Sequence, residues 1–287
     1  MIPPREGEDI KLTIDAGLQE NFWHLIEETA RARGFHGGAG IIFSVKDGSI
    51  LSMVSVPSFD LNALSLSLTR EEASKLFQDP NAPFFDRALS GAHAPGSIVK
   101  PFVAIAALEE DIIDPEKSIY SSGALVLPNP YDSSKPNIFL DWKAHGYVNM
   151  RQAISVSSDV YFYTIGGGFG DVRGLGIRKL KEWFHKFGFD MPTGIDLPGE
   201  ETGFLPDPEW KAKTRPWRIG DTYHVSIGQG DLLLSPLGIV RALAFLATRG
   251  TWVTPHLLEK TSQKTPDPLL LQEQSFMVVA DGMRKAA

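Results

Sequence analysis

Pro95-Gly96-Ser97-Ile98-Val99-Lys100-Pro101-Phe102 is the stretch from which the rest of the chain is best read. Pro95-Gly96 breaks the preceding chain. Residues 97–110 then form a strongly apolar helix that tolerates Pro101 in its first turns. Ser97 and Lys100 lie three apart, a spacing that puts both side chains on one helix face with Cβ atoms about 5–6 Å apart. A Lys amine so placed can reach the Ser hydroxyl. To take that proton at neutral pH the amine must shed its own charge, and burial among apolar side chains supplies the push. Ile98, Val99, Phe102 and Val103 make such a surround plausible. The free N–H groups of the helix start lie beside Ser97, where they could stabilise an oxyanion. Spacing alone says little, because chance places about one Ser-x-x-Lys in a chain with this much Ser and Lys. On that ground an ordinary helix with a solvated Lys is the simpler reading. The flanking Pro95-Gly96 and Pro101-Phe102 are what shift the odds.

Upstream, residues 15–33 carry Leu18, Phe22, Leu25, Ile26 and Ala30 at helical spacing, with Asp15 as N-cap and Gly34 as stop. Residues 40–45 and 49–54 flank Lys46-Asp47-Gly48, a strong hairpin signal. Residues 61–83 are mixed, with a short helix at 69–77. Downstream, residues 119–149 are rich in Pro, Ser, Asn and Asp and read as a long irregular insertion. Helical patterns return at 150–165 and 172–187, and a proline-rich loop covers 192–216. Ser235-Pro236 opens a buried helix that ends at Arg249-Gly250, and a last helix covers 275–285. Gly166, Gly167, Gly168 and Gly170 lack phosphate-loop spacing and read as a flexible inter-helix loop. The pattern as a whole is α+β.

A second polar cluster, Ser157-Ser158-Asp159, interrupts the apolar run of Ile154, Val156, Val160, Phe162 and Tyr163. A helix break there could aim Ser157 and Asp159 into a cleft, as proton relay and substrate-amide partner. A plain cap or kink is an equal alternative. The chain of 287 residues carries a net charge of −7, which argues against a nucleic-acid binder. It has no Cys, so neither a disulfide frame nor a Cys-based zinc site is available. There is no His-Glu-x-x-His, P-loop, Gly-x-Gly-x-x-Gly or Gly-x-Ser-x-Gly. No apolar run is long enough to span a bilayer, and Pro3-Pro4-Arg5-Glu6 does not open a secretory signal. For a protein working outside the cytoplasm, an export or anchor segment is therefore expected beyond this sequence.

The motif around Ser97 resembles the nucleophile motif of class B penicillin-binding proteins. The resemblance runs along essentially the whole chain and in order. It takes in Asp9-Ile10-Lys11-Leu12-Thr13-Ile14-Asp15, residues 49–60, Thr193-Gly194-Ile195-Asp196-Leu197-Pro198-Gly199-Glu200, and residues 220–230 with Ser226-Ile227-Gly228-Gln229-Gly230. Ser157-x-Asp159, where many relatives carry Ser-x-Asn, and Asp141-Trp142-Lys143 resemble the elongation-type branch, penicillin-binding protein 2. The resemblance implies the fold shared with serine β-lactamases, a central antiparallel sheet flanked by helices, over one transpeptidase domain spanning residues 1–287. It implies a D,D-transpeptidase that cross-links peptidoglycan stem peptides through a Ser97 acyl-enzyme, with Lys100, Ser157 and Asp159 in the site and β-lactams as inhibitors. No cofactor is required. A membrane glycosyltransferase and other wall-elongation proteins are the implied partners, at the periplasmic face of the inner membrane.

Two departures accompany the resemblance. The third motif of the family, a Lys-Ser/Thr-Gly strand, is absent from the sequence. The expectation is that the chain stops short of it, lacks the C-terminal part of the fold, and is poorly active as given. Some relatives hold zinc near the second motif through Asp, His and Cys. Here Asp141 and His145 stand at similar places, but Ser158 takes the Cys position, so no metal site is expected and the two read as a surface Asp and His in the irregular insertion. Two other readings stay open: a serine β-lactamase, for which no deacylating Glu is identifiable, and a non-catalytic scaffold of a wall-synthesis complex.

Overall fold

The computed structural model describes residues 7–62, 69–129, 132, 134–259 and 268–287. The polar opening at Pro3–Glu6 and part of the mixed stretch after Leu61 lie outside them. The chain begins with helix α1 (Ala16–Arg33), which Asp15 caps by accepting from Leu18 N–H at 2.9 Å. Gly34 ends the helix at φ 69°, the left-handed conformation Gly adopts without a Cβ penalty. Leu25, expected on its packed face, is exposed.

Strands β1 (Gly38–Phe43) and β2 (Ile50–Val56) form the anticipated antiparallel hairpin. Gly38 and Gly40 leave one face bare, and Ile26 and Phe22 of α1 fill that space. Ile41 and Phe43 point the other way, into a cluster with Ile50 and Leu237. The sheet is thus flanked by helices, as expected for this fold, and among the described residues it has two strands.

Helix α2 (Arg70–Phe77) starts at a capping box between Thr69 and Glu72. A 3-10 turn (Gly96–Val99) leads into α3 (Lys100–Glu109). Phe102, Val103, Ala104, Ile105, Ala106 and Ala107 are all fully buried, so α3 is apolar all round and forms the axis of the core.

Residues 119–149 are more regular than their composition suggests. They hold β3 (Ile119–Ser121), β4 (Ala124–Leu127), β5 (Asn137–Leu140) and β6 (Gly146–Val148), paired as β3–β6 and β4–β5 ribbons. Leu125 and Phe139 turn inward while Val126, Ile138 and Leu140 face solvent.

Helices α4 (Met150–Ser155) and α5 (Asp159–Gly167) replace the single pattern at 150–165 with a break between them. Next come α6 (Gly176–Lys186), the one-turn α7 (Pro208–Lys211) and α8 (Ile219–Ser226). Of the glycines read as an inter-helix loop, Gly168 and Gly170 do lie between α5 and α6, but the other two do not. Gly166 and Gly167 belong to α5, where a Cβ would collide with Ser226 and Tyr223 of α8, so they permit close helix packing. Helix α9 (Pro236–Ala247) starts at Ser235, whose hydroxyl accepts from Gly238 N–H at 3.1 Å. Helix α10 (Glu273–Arg284) closes the described chain against α4, with Gly282 set against Ile154. No helix among the described residues is long and apolar enough to cross a membrane.

Candidate active site

Ser97 and Lys100 sit on one turn but in different surroundings. Ser97 is exposed, whereas Lys100 is 2% exposed and lies among Val99, Phe102 and Val103, all fully buried. Of the expected apolar surround only Ile98 turns partly to solvent. The turn is held from behind by the 226–230 segment: Gly96 N–H donates to Gly228 C=O at 2.8 Å. Gly228 has φ 77°, and a Cβ there would collide with the Gly96 carbonyl. The Ser226–Gly230 segment bears the resemblance, but its sequence does not reveal that it backs the Ser97 turn.

The amine of Lys100 points away from the bulk of α3 toward the break between α4 and α5. It donates to Ser157 C=O at 2.7 Å, to Ser157 Oγ at 3.0 Å and to Asp159 Oδ1 at 2.6 Å. No hydrogen bond joins it to Ser97 Oγ among those of the described residues, so the direct contact expected from the spacing is not formed here. Burial pushes the Lys100 pKa below its ordinary value, while Asp159 pulls the other way. Desolvation is the larger influence and favours the neutral amine.

Ser157 adopts φ 53°. For a residue with a Cβ this costs about 1–2 kcal/mol, and such strain persists only where neighbours over-determine the conformation. Ser158 follows as N-cap of α5 and is fully buried. Between them, the left-handed residue and the cap turn the chain so that Ser157 and Asp159 both face Lys100. The break anticipated from the sequence is present, and it joins all three side chains into one polar cluster.

Behind the corner lies Asp141, at the end of β5. Its Oδ2 accepts from Ser158 Oγ (2.8 Å), Val160 N–H (3.0 Å) and Ser121 Oγ (3.1 Å). Its Oδ1 accepts from Trp142 N–H at 2.9 Å and lies 3.3 Å from His145 Nε2. Burial pushes the Asp141 carboxyl up, but the N–H groups of Val160 and Asp159, the Ser158 hydroxyl and the Trp142 N–H together hold it below the usual carboxylate range. The half-exposed Trp142 indole donates to Val156 C=O at 3.1 Å, one residue before Ser157. Sequence reasoning treated this segment as an insertion with a surface Asp and His. The Asp141 and His145 side chains are instead buried together.

Zinc does not fit this arrangement. Asp141 offers both oxygens to protein donors, a hydroxyl stands where a thiolate would bind, and no group of three His, Cys, Asp or Glu side chains among the described residues could hold a metal ion.

A buried amine, a hydroxyl bonded to it and an exposed Ser one turn away at a helix start are the parts of a serine acyl-transfer site. Residues 38–287 match the family model described as the penicillin binding protein transpeptidase domain, and the chain belongs to that family. Within it, the likeness is to the PBP2 or MrdA type. The chain is 39% identical over 286 residues to a peptidoglycan D,D-transpeptidase MrdA of Haemophilus influenzae, covering 97% of this chain and 41% of that protein. Among solved structures it resembles the PBP2 of Helicobacter pylori in complex with MreC, with TM-score 0.82, 30% identity, and coverage of 96% of this chain and 49% of that one. It also resembles Pseudomonas aeruginosa PBP2 in complex with WCK 5153, with TM-score 0.81, 32% identity, and coverage of 98% and 60%. The chain thus spans about two fifths of the curated relative and half or somewhat more of the solved chains.

Proposed function

We propose that the chain is the catalytic domain of a peptidoglycan D,D-transpeptidase of the wall-elongation type, acting through an acyl-enzyme on Ser97. The observation that carries this reading is the buried Lys100 amine, bonded to Ser157 Oγ at 3.0 Å and held by Asp159 at 2.6 Å. Ser97 Oγ attacks the carbonyl of the penultimate D-Ala of a stem peptide and passes its proton to Lys100. The hydrogen bond between the two forms when substrate binds, as catalytic contacts in free enzymes often do. The peptide C–N bond then breaks. Terminal D-Ala leaves with a proton returned from Lys100 through Ser157, and an ester to Ser97 remains. An amine from a second stem peptide attacks that ester and gives up a proton, which Lys100 passes to Ser97 Oγ as the ester C–O bond breaks, and the new amide closes the cross-link. Asp159 keeps Lys100 directed at the corner. No step calls for a metal or an organic cofactor.

We assign residues 1–287 to one transpeptidase domain; a Lys-Ser/Thr-Gly is not among them. Partners are drawn from the likeness to a PBP2 solved in complex with MreC. That likeness supports a wall-elongation partner, and the family resemblance adds a membrane glycosyltransferase and a place on the outer face of the inner membrane.

The test is covalent labelling with a fluorescent penicillin. The full-length protein should be labelled and its Ser97→Ala variant should not; equal labelling of the variant would remove Ser97 from its role. An acyl-enzyme that hydrolyses rapidly would favour a β-lactamase, and a protein that takes up no label would favour a scaffold.

A further inference from the structure

We propose that Asp141 is a positioning residue whose carboxylate clamps the Ser157–Asp159 corner through hydrogen bonds alone, at the place where some relatives hold zinc. The catalytic consequence rests on the transpeptidase reading; the clamp itself does not.

A carboxylate has about four lone-pair directions. Asp141 has five donors within 3.3 Å, the Ser121 and Ser158 hydroxyls, the Val160 and Trp142 N–H groups, and His145, and the Asp159 N–H adds to its stabilisation. Nothing is left over for a metal. The residues are also wrong for one, since both hydroxyl partners are Ser and the chain has no Cys. The carboxylate sits at the N-terminus of α5, where its negative charge is favoured by the helix dipole. Its bonds fall on Ser158 and Val160, the residues on either side of Asp159. Ser158 in turn follows the left-handed Ser157. A strained residue needs such external anchoring, and the partners that face Lys100 are the ones anchored. The far side of the clamp is Ser121 on β3, so the ribbons of residues 119–149 become the buttress of the corner.

The experiment uses the purified full-length protein and has an arm for the metal and an arm for the corner. Elemental analysis should find zinc far below one atom per chain, and neither a chelator nor added zinc should move the melting temperature. One zinc per chain, or a fall of several degrees with chelator, would overturn a clamp made of hydrogen bonds alone. For the corner, Asp141→Asn should slow penicillin acylation by about 10–100-fold, the usual effect of losing a supporting contact behind a catalytic group. Against a Ser157→Ala background the same substitution should cost nothing further, because the two act through one element. Equal losses in both backgrounds would mean general destabilisation and would sink the positioning role. Where Asp141→Asn does not fold, Ser158→Ala and Ser121→Ala each remove one donor and carry the same cycle. A native protein that takes up no penicillin would refute the transpeptidase reading, and hydrogen exchange would then decide the clamp. The Ser158, Asp159 and Val160 amides should exchange faster in Asp141→Asn, and unchanged protection would overturn it.

Discussion

Replacing Asp159 by Asn should move the acid limb of the acylation rate to lower pH. The carboxylate lies 2.6 Å from the Lys100 amine, with the two side chains 18% and 2% exposed, so solvent screens the contact little. Its charge favours protonated Lys100, the form that cannot act as a base, and so opposes the effect of burial. Charge-assisted hydrogen bonds contribute about 1.5–3 kcal/mol, roughly twice a neutral one. Asn keeps an acceptor oxygen but not the charge, so the substitution withdraws about 1–1.5 kcal/mol from the protonated form. That is close to a tenfold change in the equilibrium between ammonium and amine. On the acid limb, where the neutral amine is scarce, acylation of Asp159→Asn should gain up to about tenfold relative to its own plateau. The assay is the second-order rate of fluorescent penicillin labelling across the pH range in which the native protein gains reactivity. Plateau height reports how well Asn still directs the amine, and limb position reports the base. A limb that stays in place, or moves to higher pH, would refute Lys100 as the group whose deprotonation activates Ser97.

Ser157→Gly should melt above Ser157→Ala by about 1 kcal/mol, because Gly takes φ 53° without the Cβ penalty and gives part of that gain back as chain entropy; both should lose about 10²–10⁴-fold in acylation with the relay hydroxyl. Gly228→Ala should destabilise by about 1–3 kcal/mol through its positive φ and its collision with the Gly96 carbonyl. It should also slow labelling more than a surface Gly→Ala change of equal melting temperature does. The lowered Asp141 carboxyl contributes stability that is complete above the ordinary carboxylate pKa and is lost as pH falls through the lower folded value. Thermal melts on the acid side should therefore be shallower in pH for Asp141→Asn than for the native protein.

Features written into neighbouring residues were legible in the sequence. The caps at Asp15 and Ser235, the short helix near 69–77, the hairpin around Asp47-Gly48 and the buried start of α3 needed only local rules. The break at Ser157-Ser158-Asp159 was legible as a possibility, since polar residues stood in an apolar helical run. What the sequence hid depends on partners far along the chain. Lys100 finds its acceptors nearly sixty positions away, and the spacing rule that joined it to Ser97 says nothing about them. Asp141 looked like a surface residue because the strands around it are three or four residues long and set among Pro, Ser and Asn. Gly166 and Gly167 looked like part of an inter-helix loop because the α8 side chains that need their room lie far off in sequence.

Helix α3 is apolar and buried from its first residue, which carries the amine, through Ala107. Ser97, in the turn just before it, and Lys100 thus share one foundation in the core. The opposing jaw is built otherwise, from short ribbons and the Ser157 bend that they brace. Substitutions meant to retune reactivity cost less fold stability when placed there than in a fully buried helix.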